Sequence, residues 1–424
     1  MSSFFNNVVL IKAEVDYFDA SFFEANIPLC SLGAMIKDHV QSLSMPVDMR
    51  IDPQALKHFD EALAKMARAG HPCDLVAISS MTASFPNAIK LAKIAKKYGA
   101  YVVVGGYHPS ALPEQMFDVP EIDAVVRGEG EMTFQEFVLQ GPSENVQGLS
   151  FRGEDGVVYH NPDREKIVDL DTLPFPDRAL RPSNPIFLKH EVIVTSRGCN
   201  GACTFCANGS VHGRWRGRSP ESVIEELKQI YARNPNLTVH IWDANFMQDG
   251  ERVRKIIELV KSNDIHFKYF CEMRVDHITR YPDLIKGLAE IGMEWIAIGI
   301  ESPNQERLKR LKKGITTTAV EKAVRILQEN HIKIVGYLMI GDPEETAEQM
   351  KEYPVYAHQL GINKTLIAIQ TPHPGSQFFA DMEAQGGITS YDWEKYDIGH
   401  SVAKLQHMTN RECEELMDWC WGRF

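Results

Sequence analysis

The chain has 424 residues, of which 44% are hydrophobic and 24% are charged, and its formal net charge is −12 at pH 7. This length allows two or three domains with a core in each, and the apolar fraction is ordinary for a globular protein. The acidic balance argues against non-specific binding of nucleic acid, which needs a basic surface, and no apolar run approaches the length of a membrane span.

The amino terminus and the use of cysteine predict a reducing, cytoplasmic location. Residues 1–7 lack the basic start and the long apolar core of a secretory signal. Eight cysteines in a chain of this length do not indicate a disulfide scaffold. We expect most of the scattered cysteines, including Cys413 and Cys420, to be buried thiols.

Residues 1–145 alternate between strand and helix patterns. Continuous apolar runs, typical of parallel strands covered on both faces, occupy residues 8–11, 75–79, 101–104 and 124–126. Helical spacing occupies residues 32–43, 86–98 and 133–139. The alternation predicts an α/β domain of the Rossmann-like, doubly wound type.

Residues 146–190 interrupt this alternation. Gly153-Glu154-Asp155-Gly156 lies between two strand-like runs and predicts a hairpin. A proline-rich stretch follows at residues 173–177, ending near Pro185. We interpret the segment as a linker with a hairpin that packs against both neighbours.

Strands and helices alternate again over residues 191–376. Strand patterns occupy residues 191–196, 237–243, 267–272, 295–300, 334–340 and 364–370. Helical patterns occupy residues 219–233, 250–263, 281–291, 317–330 and 344–360. Six consecutive strand–helix units favour a (β/α)6 barrel of the TIM type, closed or partial, over an open sheet.

Nearly every barrel strand ends in a polar or glycine-rich sequence. The active site of such barrels lies at the carboxyl ends of the strands. A purely structural chain has no reason to repeat such turns at one end, so the pattern predicts an enzyme. The sequences concerned are residues 197–206, 243–246, 272–274, 299–302, 341–345 and 371–376.

Residues 377–424 predict a small helical cap. Aromatic side chains are frequent in it: Tyr391, Trp393, Tyr396, Trp419 and Trp421. We expect these rings to form the core of the cap, and the alternative is contact with a substrate at the barrel mouth.

Three cysteines follow the first barrel strand closely. Cys199, Cys203 and Cys206 have the spacing C-x3-C-x2-C on one short loop. A structural zinc or an electron-transfer cluster usually takes four protein ligands. A four-iron cluster held by three cysteines keeps one iron open for chemistry on a bound molecule. The alternative is a zinc site that borrows a fourth ligand, such as His212.

With an aromatic residue, Phe205, before its last cysteine, this loop resembles that of the radical S-adenosylmethionine (SAM) enzymes. Four further strings resemble the class of these enzymes with an N-terminal cobalamin-binding domain: residues 105–109, 128–131, 173–177 and 299–302. The resemblance covers residues 1–376. It implies that Cys199, Cys203 and Cys206 hold a [4Fe-4S] cluster whose open iron chelates SAM, and that residues 1–145 bind cobalamin.

The resemblance also implies a SAM site at the strand ends. Glu301 resembles the carboxylate that contacts the ribose, with helix capping as its alternative role. Asp243 and Asn245 stand where relatives carry a Gly-Gly-Glu-like motif for the SAM amino group. Arg274 is a candidate partner for the SAM carboxylate, against a salt bridge with Asp276. The other SAM candidates are Phe205, Glu272, Ser302, Thr371 and His373.

The cobalamin candidates lie where the carboxyl edge of the first sheet is expected. Glycines allow close approach of a large ligand, and hydroxyl groups suit its nucleotide tail, with helix capping as their alternative. The candidates are Ser79, Ser80, Thr82, Gly105, Gly106, His108, Gly128 and Glu129. Because the Asp-x-His-x-x-Gly string of methionine-synthase-like domains is absent, His108 is not assigned as a cobalt ligand.

The class implies a C-methyltransferase. A 5′-deoxyadenosyl radical from SAM takes hydrogen from an unactivated substrate carbon, which then takes a methyl group from methylcobalamin. The alternatives are an oxidoreductase or cyclase of the same class without methyl transfer, and a non-catalytic cobalamin or metal sensor. A methylthiotransferase is disfavoured, because only Cys30 and Cys73 are present where those relatives carry three more cluster cysteines.

We expect two kinds of partner for such an enzyme. One is the substrate, a small molecule or a protein side chain. The other is a low-potential electron donor such as ferredoxin or flavodoxin, and nucleic acid is not expected.

Overall fold

The computed structural model of the protein describes residues 3–14, 26–50, 52–183 and 189–423. The predicted end of the linker, at Pro185, lies outside these described residues. The chain divides into two compact units. The first comprises residues 1–168, 172–184 and 210–212, and the second residues 169–171, 185–209 and 213–424. Within the described ranges, no helix combines the length and the apolar character needed to cross a membrane.

The first unit is built on one seven-stranded sheet. Its strands are β1 (Asn7–Lys12), β2 (Ser42–Ser44), β3 (Leu75–Ser79), β4 (Tyr101–Gly105), β5 (Ala124–Val126), β6 (Leu149–Arg152) and β7 (Val158–His160). Its helices are α1 (Ile27–Ile36), α2 (Ala55–Arg68), α3 (Phe85–Lys96), α4 (Tyr107–Ala111), α5 (Pro113–Met116) and α6 (Gly130–Gln140). The strand order is β2-β1-β3-β4-β5-β6-β7, with the first five strands parallel. The order 2-1-3-4-5 is that of doubly wound, flavodoxin-like folds.

The predicted Rossmann-like fold is confirmed, with two local differences. The helix predicted over residues 32–43 spans Ile27–Ile36, because Pro28 stands in its first turn and Ser42–Ser44 join the sheet. Strand β2 and helix α2 were not predicted. Helix α2 buries a stripe that includes Phe59 and Leu63, four residues apart; this helical spacing was present in the sequence and was overlooked.

The predicted hairpin is present, but it belongs to the first sheet. Strand β6 pairs antiparallel with β5, and β7 pairs with β6. The first unit therefore continues past the expected boundary at residue 145. The reason is that β5 has a free edge, which the hairpin covers with backbone hydrogen bonds. The proline-rich stretch also contacts this unit, since the Asp177 N–H donates to the Cys30 carbonyl at 3.0 Å.

The second unit contains a six-stranded parallel sheet flanked by helices. Its strands are β8 (His190–Ile193), β11 (Thr238–Ile241), β12 (Lys268–Met273), β13 (Met293–Glu301), β14 (Lys333–Ile340) and β15 (Lys364–Ile369), and a short ribbon consists of β9 (Ser196–Arg197) and β10 (Arg216–Gly217). The order is β15-β14-β13-β12-β11-β8. Because the described strands include no pairing of β8 with β15, the barrel is partial.

The helices of this part of the chain include one for each of the five predicted helical patterns, together with further helices outside those patterns. They are α7 (Asn208–His212), α8 (Pro220–Arg233), α9 (Gly250–Ser262), α10 (Val275–Arg280), α11 (Pro282–Glu290), α12 (Gln305–Arg310), α13 (Thr317–Glu329), α14 (Ala347–Leu360), α15 (Gln377–Ala384) and α16 (Asn410–Trp421). The strands alternate between two faces. One face, with Ile241, Cys271 and Ile298, is buried in the main core, and on the other face residues such as His240, Glu272 and Tyr337 are only half-buried.

The carboxyl-terminal region is helical, as predicted, and α16 lies beside the outer strand of the sheet. The Trp421 indole N–H donates to the Ile367 carbonyl of β15 at 3.1 Å. Cys413 and Cys420 are both fully buried on α16. Tyr396 is buried and packs against Trp393 at 4.7 Å between ring centroids. Tyr396 is therefore a core residue, as expected. The expectation is wrong for Tyr391 and Trp421, which are 52% and 41% exposed.

Candidate active site

The cysteine loop follows β9 and is shaped by its backbone. Cys199 and Cys203 are half-buried and Cys206 is exposed, and all three are free thiols. Gly198 has φ +77°, and a Cβ there would lie 2.4 Å from the Arg214 carbonyl oxygen, so the turn requires glycine. The Cys199 N–H donates to the Gly213 carbonyl at 3.3 Å.

Two backbone hydrogen bonds fix the middle of the loop. The Thr204 N–H donates to the Leu311 carbonyl at 3.0 Å, and the Thr204 carbonyl accepts from the Phe378 N–H at 2.8 Å. The loop is therefore tied to the segment after α12 and to the start of α15. These contacts with the surrounding fold set the conformation of the loop.

Asp243 anchors the segment that leads into the cysteine loop. Its fully buried carboxylate accepts the Thr195 and Ser196 N–H groups at 2.7 and 3.0 Å. It also accepts both hydroxyl groups, at 2.5 and 2.6 Å. A carboxylate has about four acceptor positions, so none is left for the SAM amino group that we expected Asp243 to bind. The structure gives Asp243 an orienting role instead.

Asn245 has a similar structural role. It is fully buried, and its amide nitrogen donates to the Gln248 side chain at 3.0 Å and lies 3.0 Å from Nδ1 of His277. Burial lowers the pKa of His277. The predicted contact of Asn245 with the SAM amino group is not supported by these bonds, because its amide is committed to the end of β11 and to α10.

Glu301 lies at the centre of the strand ends and is held by a lysine. It is 6% exposed, and Nζ of Lys313 lies 2.6 Å from its Oε1. The Glu301 backbone has φ +61°, at a point where the β13–β14 register shifts. Such strained backbone is frequent at functional sites. A Cβ on Gly299 would lie 2.3 Å from Lys313 Nζ and 2.4 Å from Glu301 Oε1, so the glycine makes room for this ion pair.

Arg274 connects the end of β12 to the cysteine loop. Its Nε donates to Asp276 at 2.9 Å and its Nη2 to the Lys313 carbonyl at 2.9 Å. Nη1 lies 3.9 Å from the Cys203 sulfur. Burial opposes its charge, but Asp276 and the Cys203 and Cys199 sulfurs outweigh this effect and raise the pKa of Arg274. The salt bridge with Asp276 and the position beside the loop therefore coexist.

Glu272 faces the same region and pairs with Tyr337 of β14. The Tyr337 hydroxyl donates to Glu272 Oε1 at 3.0 Å. Burial raises the pKa of Glu272, while Tyr337 and Lys313 act to lower it. The two side chains lie on either side of β13 in the sheet order, at a level where that strand carries the small residues Ala297 and Gly299.

The remaining SAM candidates differ in how their side chains are engaged. Phe205 has its ring centroid 5.9 Å from Lys313 Nζ. Ser302 is buried and its Oγ lies 2.9 Å from the Tyr353 hydroxyl, while the Thr371 hydroxyl donates to the Ile369 carbonyl at 3.0 Å. Burial lowers the pKa of His373 to about 4, although Asp397 opposes the shift.

Lys313 and Tyr337 were missed by sequence reasoning. Lys313 follows α12 in a loop without a recognisable motif, and Tyr337 lies within the apolar run of β14. The available signal for Lys313 was the adjacent Gly314, a breaker directly after a helix. No local signal marks Tyr337.

The chemistry of the site fits a cluster held by three cysteines. Arg274 and Lys313 lie beside the loop. Burial opposes the charge of Lys313, but Glu301 and the Cys203 sulfur outweigh it and raise its pKa. The Cys203 sulfur also contributes to the raised pKa of Arg274. Cations there offset the negative charge of thiolate ligands. Nδ1 of His212, the fourth ligand of the zinc alternative, lies 3.2 Å from the Glu129 carboxylate. In the described part of the chain, no three His, Cys, Asp or Glu side chains converge on a single-ion site.

The cobalamin candidates after β3 and β4 contact each other through the backbone. The Ser80 N–H donates to the Gly105 carbonyl at 2.9 Å, and its hydroxyl donates to the Met81 carbonyl at 2.8 Å. A Cβ on Gly106 would lie 2.4 Å from the Ser80 carbonyl oxygen. Thr82 is buried and its carbonyl accepts from the Phe85 N–H, whereas Ser79 is half-buried.

The other cobalamin candidates are also embedded in the first unit. The His108 ring is fully buried against Phe85, at 4.7 Å between centroids, and burial lowers its pKa to about 4. Glu129 accepts from the Ile167 N–H at 3.0 Å, and the Gly128 N–H donates to the Ser110 hydroxyl at 2.9 Å. The roles of these residues toward cobalamin stay predictions.

Comparison with known families agrees with this arrangement. The B12 binding domain model matches residues 19–138 and the radical SAM superfamily model matches residues 193–353. The chain is 33% identical over 366 residues to PH0819 of Pyrococcus horikoshii, an uncharacterized methyltransferase, covering 84% of this chain and 79% of that protein. The chain therefore belongs to the radical SAM enzymes that carry a B12-binding domain, and specifically to the methyltransferase family that includes PH0819.

Two further relatives broaden the comparison. An anaerobic magnesium-protoporphyrin IX monomethyl ester cyclase of Rubrivivax gelatinosus is 24% identical over 365 residues, with 83% of this chain and 65% of that protein covered. The cobalamin-dependent SAM radical enzyme OxsB, solved with aqua-cobalamin and SAM, has the same fold, with a TM-score of 0.76 at 17% identity over 99% of this chain and 66% of OxsB. The family defines the cofactors as a [4Fe-4S] cluster, SAM and cobalamin.

Proposed function

We propose that the protein is a cobalamin-dependent radical SAM C-methyltransferase that acts on an unactivated carbon of its substrate. The observation that carries the proposal is a loop of three free thiols beside Arg274 and the buried Lys313–Glu301 pair, in a chain that also carries a B12-binding domain. With its cofactors bound, such an enzyme obtains a 5′-deoxyadenosyl radical from SAM and a methyl group from cobalamin.

The residues of the chain supply position and charge. Cys199, Cys203 and Cys206 hold the cluster. Arg274 is a bidentate donor for the SAM carboxylate, and Glu301 accepts from the ribose hydroxyls. Lys313 orients the Glu301 carboxylate, since its ammonium group is within hydrogen-bond distance. Phe205 and Glu272 border the same space as Lys313.

We assign each cofactor to the same part of the chain as the sequence predicted. Residues 1–145, now with the hairpin of β6 and β7, bind cobalamin, and residues 191–376 bind the cluster and SAM. A low-potential one-electron donor such as ferredoxin or flavodoxin supplies the reduction. All eight cysteines are free thiols, which supports a reducing, cytoplasmic location.

The test is an anaerobic assay of the reduced holoenzyme with SAM carrying a 13C-labelled methyl group. Small-molecule and protein extracts from a strain that lacks the gene serve as the substrate source. We expect 5′-deoxyadenosine together with a product that carries the label on carbon. Formation of 5′-deoxyadenosine without any labelled product would contradict the proposal. It would favour the second candidate, an oxidoreductase or cyclase without methyl transfer, which is supported by the similarity to the R. gelatinosus cyclase.

A further inference from the structure

A buried arginine lies behind the ends of β13, β14 and β15. Arg307, on α12, is 2% exposed. Its Nη1 donates to the Glu345 carboxylate at 2.9 Å, to the Tyr353 hydroxyl and to the Met339 carbonyl. Its Nη2 donates to the Gln370 side chain at 3.0 Å, and its Nε lies 3.5 Å from Asp342.

These partners belong to the ends of two neighbouring strands, β14 and β15, and to helix α14. Glu345 lies in the turn after β14 and accepts the Gly341 and Asp342 N–H groups at 2.8 and 3.4 Å. Gln370 directly follows β15 and precedes Thr371.

The third strand end is reached through Tyr353. Its hydroxyl donates to Glu345 at 2.7 Å and lies 2.9 Å from the Ser302 hydroxyl. Ser302 directly follows Glu301, at the end of β13. One guanidinium thus links the ends of three neighbouring strands, directly or through one side chain.

The chemistry of arginine suits this arrangement. A guanidinium is planar, presents five donors in a fixed geometry and keeps its charge when buried. Burial opposes the charge, but Tyr353, Glu345 and Asp342 outweigh it, so the pKa of Arg307 is raised. A lysine would retain the charge and lose the fixed directions of the donors. Arg307 therefore fixes both the distances between the strand ends and their relative orientation.

We propose that Arg307 is a positioning residue for SAM: by linking the turns after β13, β14 and β15 it sets where Glu301 and the segment from Thr371 stand. This inference rests on the proposed function, because it assumes that these turns contact SAM. The strained backbone of Glu301, with φ +61°, persists only if its surroundings hold it. The Tyr353–Ser302 bond holds the residue that follows it.

The experiment compares Arg307→Lys, Arg307→Gln and Tyr353→Phe in cluster-loaded protein. We expect the KM for SAM in reductive cleavage to rise about tenfold for Arg307→Gln, with a smaller rise for Arg307→Lys and Tyr353→Phe and a kcat that changes less than the KM. Calorimetric titration with SAM, without reductant, is expected to give the same order of affinities. Faster amide hydrogen exchange is expected at residues 301–304, 341–345 and 370–371.

The matched control is Arg233→Gln, which also removes an arginine from a buried carboxylate, Glu191 of β8. It is expected to lower stability and leave the affinity for SAM unchanged. Arg307 variants that fold, contain full iron and bind SAM as tightly as the wild type would overturn the inference. If Arg307→Gln does not fold, Tyr353→Phe decides by the same criterion. A wild type that cleaves SAM without methylating any substrate contradicts only the proposed function.

Discussion

The strand ends of the two units use similar residues in opposite ways. In the second unit, Gly299 leaves room for two charged side chains, Lys313 and Glu301. In the first unit, Gly106 leaves room for the backbone of Ser80. At these two positions glycine permits close approach in both units, but only at Gly299 are the nearest atoms those of charged side chains. Substitution of Gly299 should therefore disturb an ion pair, whereas substitution of Gly106 should disturb the backbone.

The largest expected effect is the loss of the three cysteines. In Cys199→Ala/Cys203→Ala/Cys206→Ala we expect iron content and formation of 5′-deoxyadenosine to fall to background, because cluster ligands are thiolates. Iron analysis and product chromatography measure both. The matched control is Cys420→Ala, which removes a buried thiol of α16 and is expected to keep its iron. A triple variant with wild-type iron would mean that the loop does not hold the cluster.

The two glycines give the next largest effects and test the comparison directly. Gly106→Ala places a methyl group against backbone at φ +110°, so we expect a loss of about 3 kcal/mol in unfolding free energy. Gly299→Ala meets the flexible ends of two side chains, so we expect a loss of only ~1 kcal/mol and a roughly tenfold weaker affinity for SAM. Urea unfolding and SAM titration provide the measurements.

The control for both variants is Gly209→Ala, where a Cβ would meet nothing within 4 Å. It is expected to leave stability and SAM binding close to wild type. If Gly106→Ala weakened SAM binding more than Gly299→Ala did, the distinction between the two units would not hold.

The last expected effect is absent at neutral pH and appears only in acid: it is a pH dependence that His108 gives to the first unit. Burial lowers its pKa to about 4 in the folded protein, whereas an unfolded histidine has a pKa near ~6.5. The unfolded chain therefore binds the proton first, and stability is present above pH ~6.5 and lost as the pH falls toward about 4, by up to ~3 kcal/mol. Urea unfolding of the first unit at several pH values measures this.

The variant His108→Gln is expected to flatten that profile at a cost in stability at neutral pH. His71→Gln is the control, because His71 is exposed, and it is expected to retain the wild-type slope. An unchanged slope in His108→Gln would assign the pH dependence to other groups.

The sequence predicts the architecture of the barrel well, because its strands are apolar runs with polar ends. All six strands were located, and Glu301 was found from the Gly-Ile-Glu-Ser string. Lys313 was not found, because it reaches Glu301 through a turn twelve residues later in the chain. Arg307 and Tyr353 were also missed, since each lies in a helix and meets its partners only after the strands align.

Asp243 and Asn245 show the limit of predicting a ligand contact from position alone. Asp243 and Asn245 were assigned by position at a strand end, where a polar side chain either binds a ligand or satisfies the backbone of its neighbours. Asp243 accepts four hydrogen bonds from Thr195 and Ser196, so it satisfies the groups of its neighbours. Short-range patterns do not encode those partners, because they lie 47 and 48 residues away.

Helix α16 affects the tendency of the protein to aggregate. The outer strand of an open sheet invites the strand of another chain to add to it, which begins aggregation. The Trp421 indole occupies a carbonyl of β15 that such a strand would use, and α16 lies along β15. Removal of residues 410–423 is therefore expected to cause self-association of the protein, although it leaves the cysteine loop unchanged.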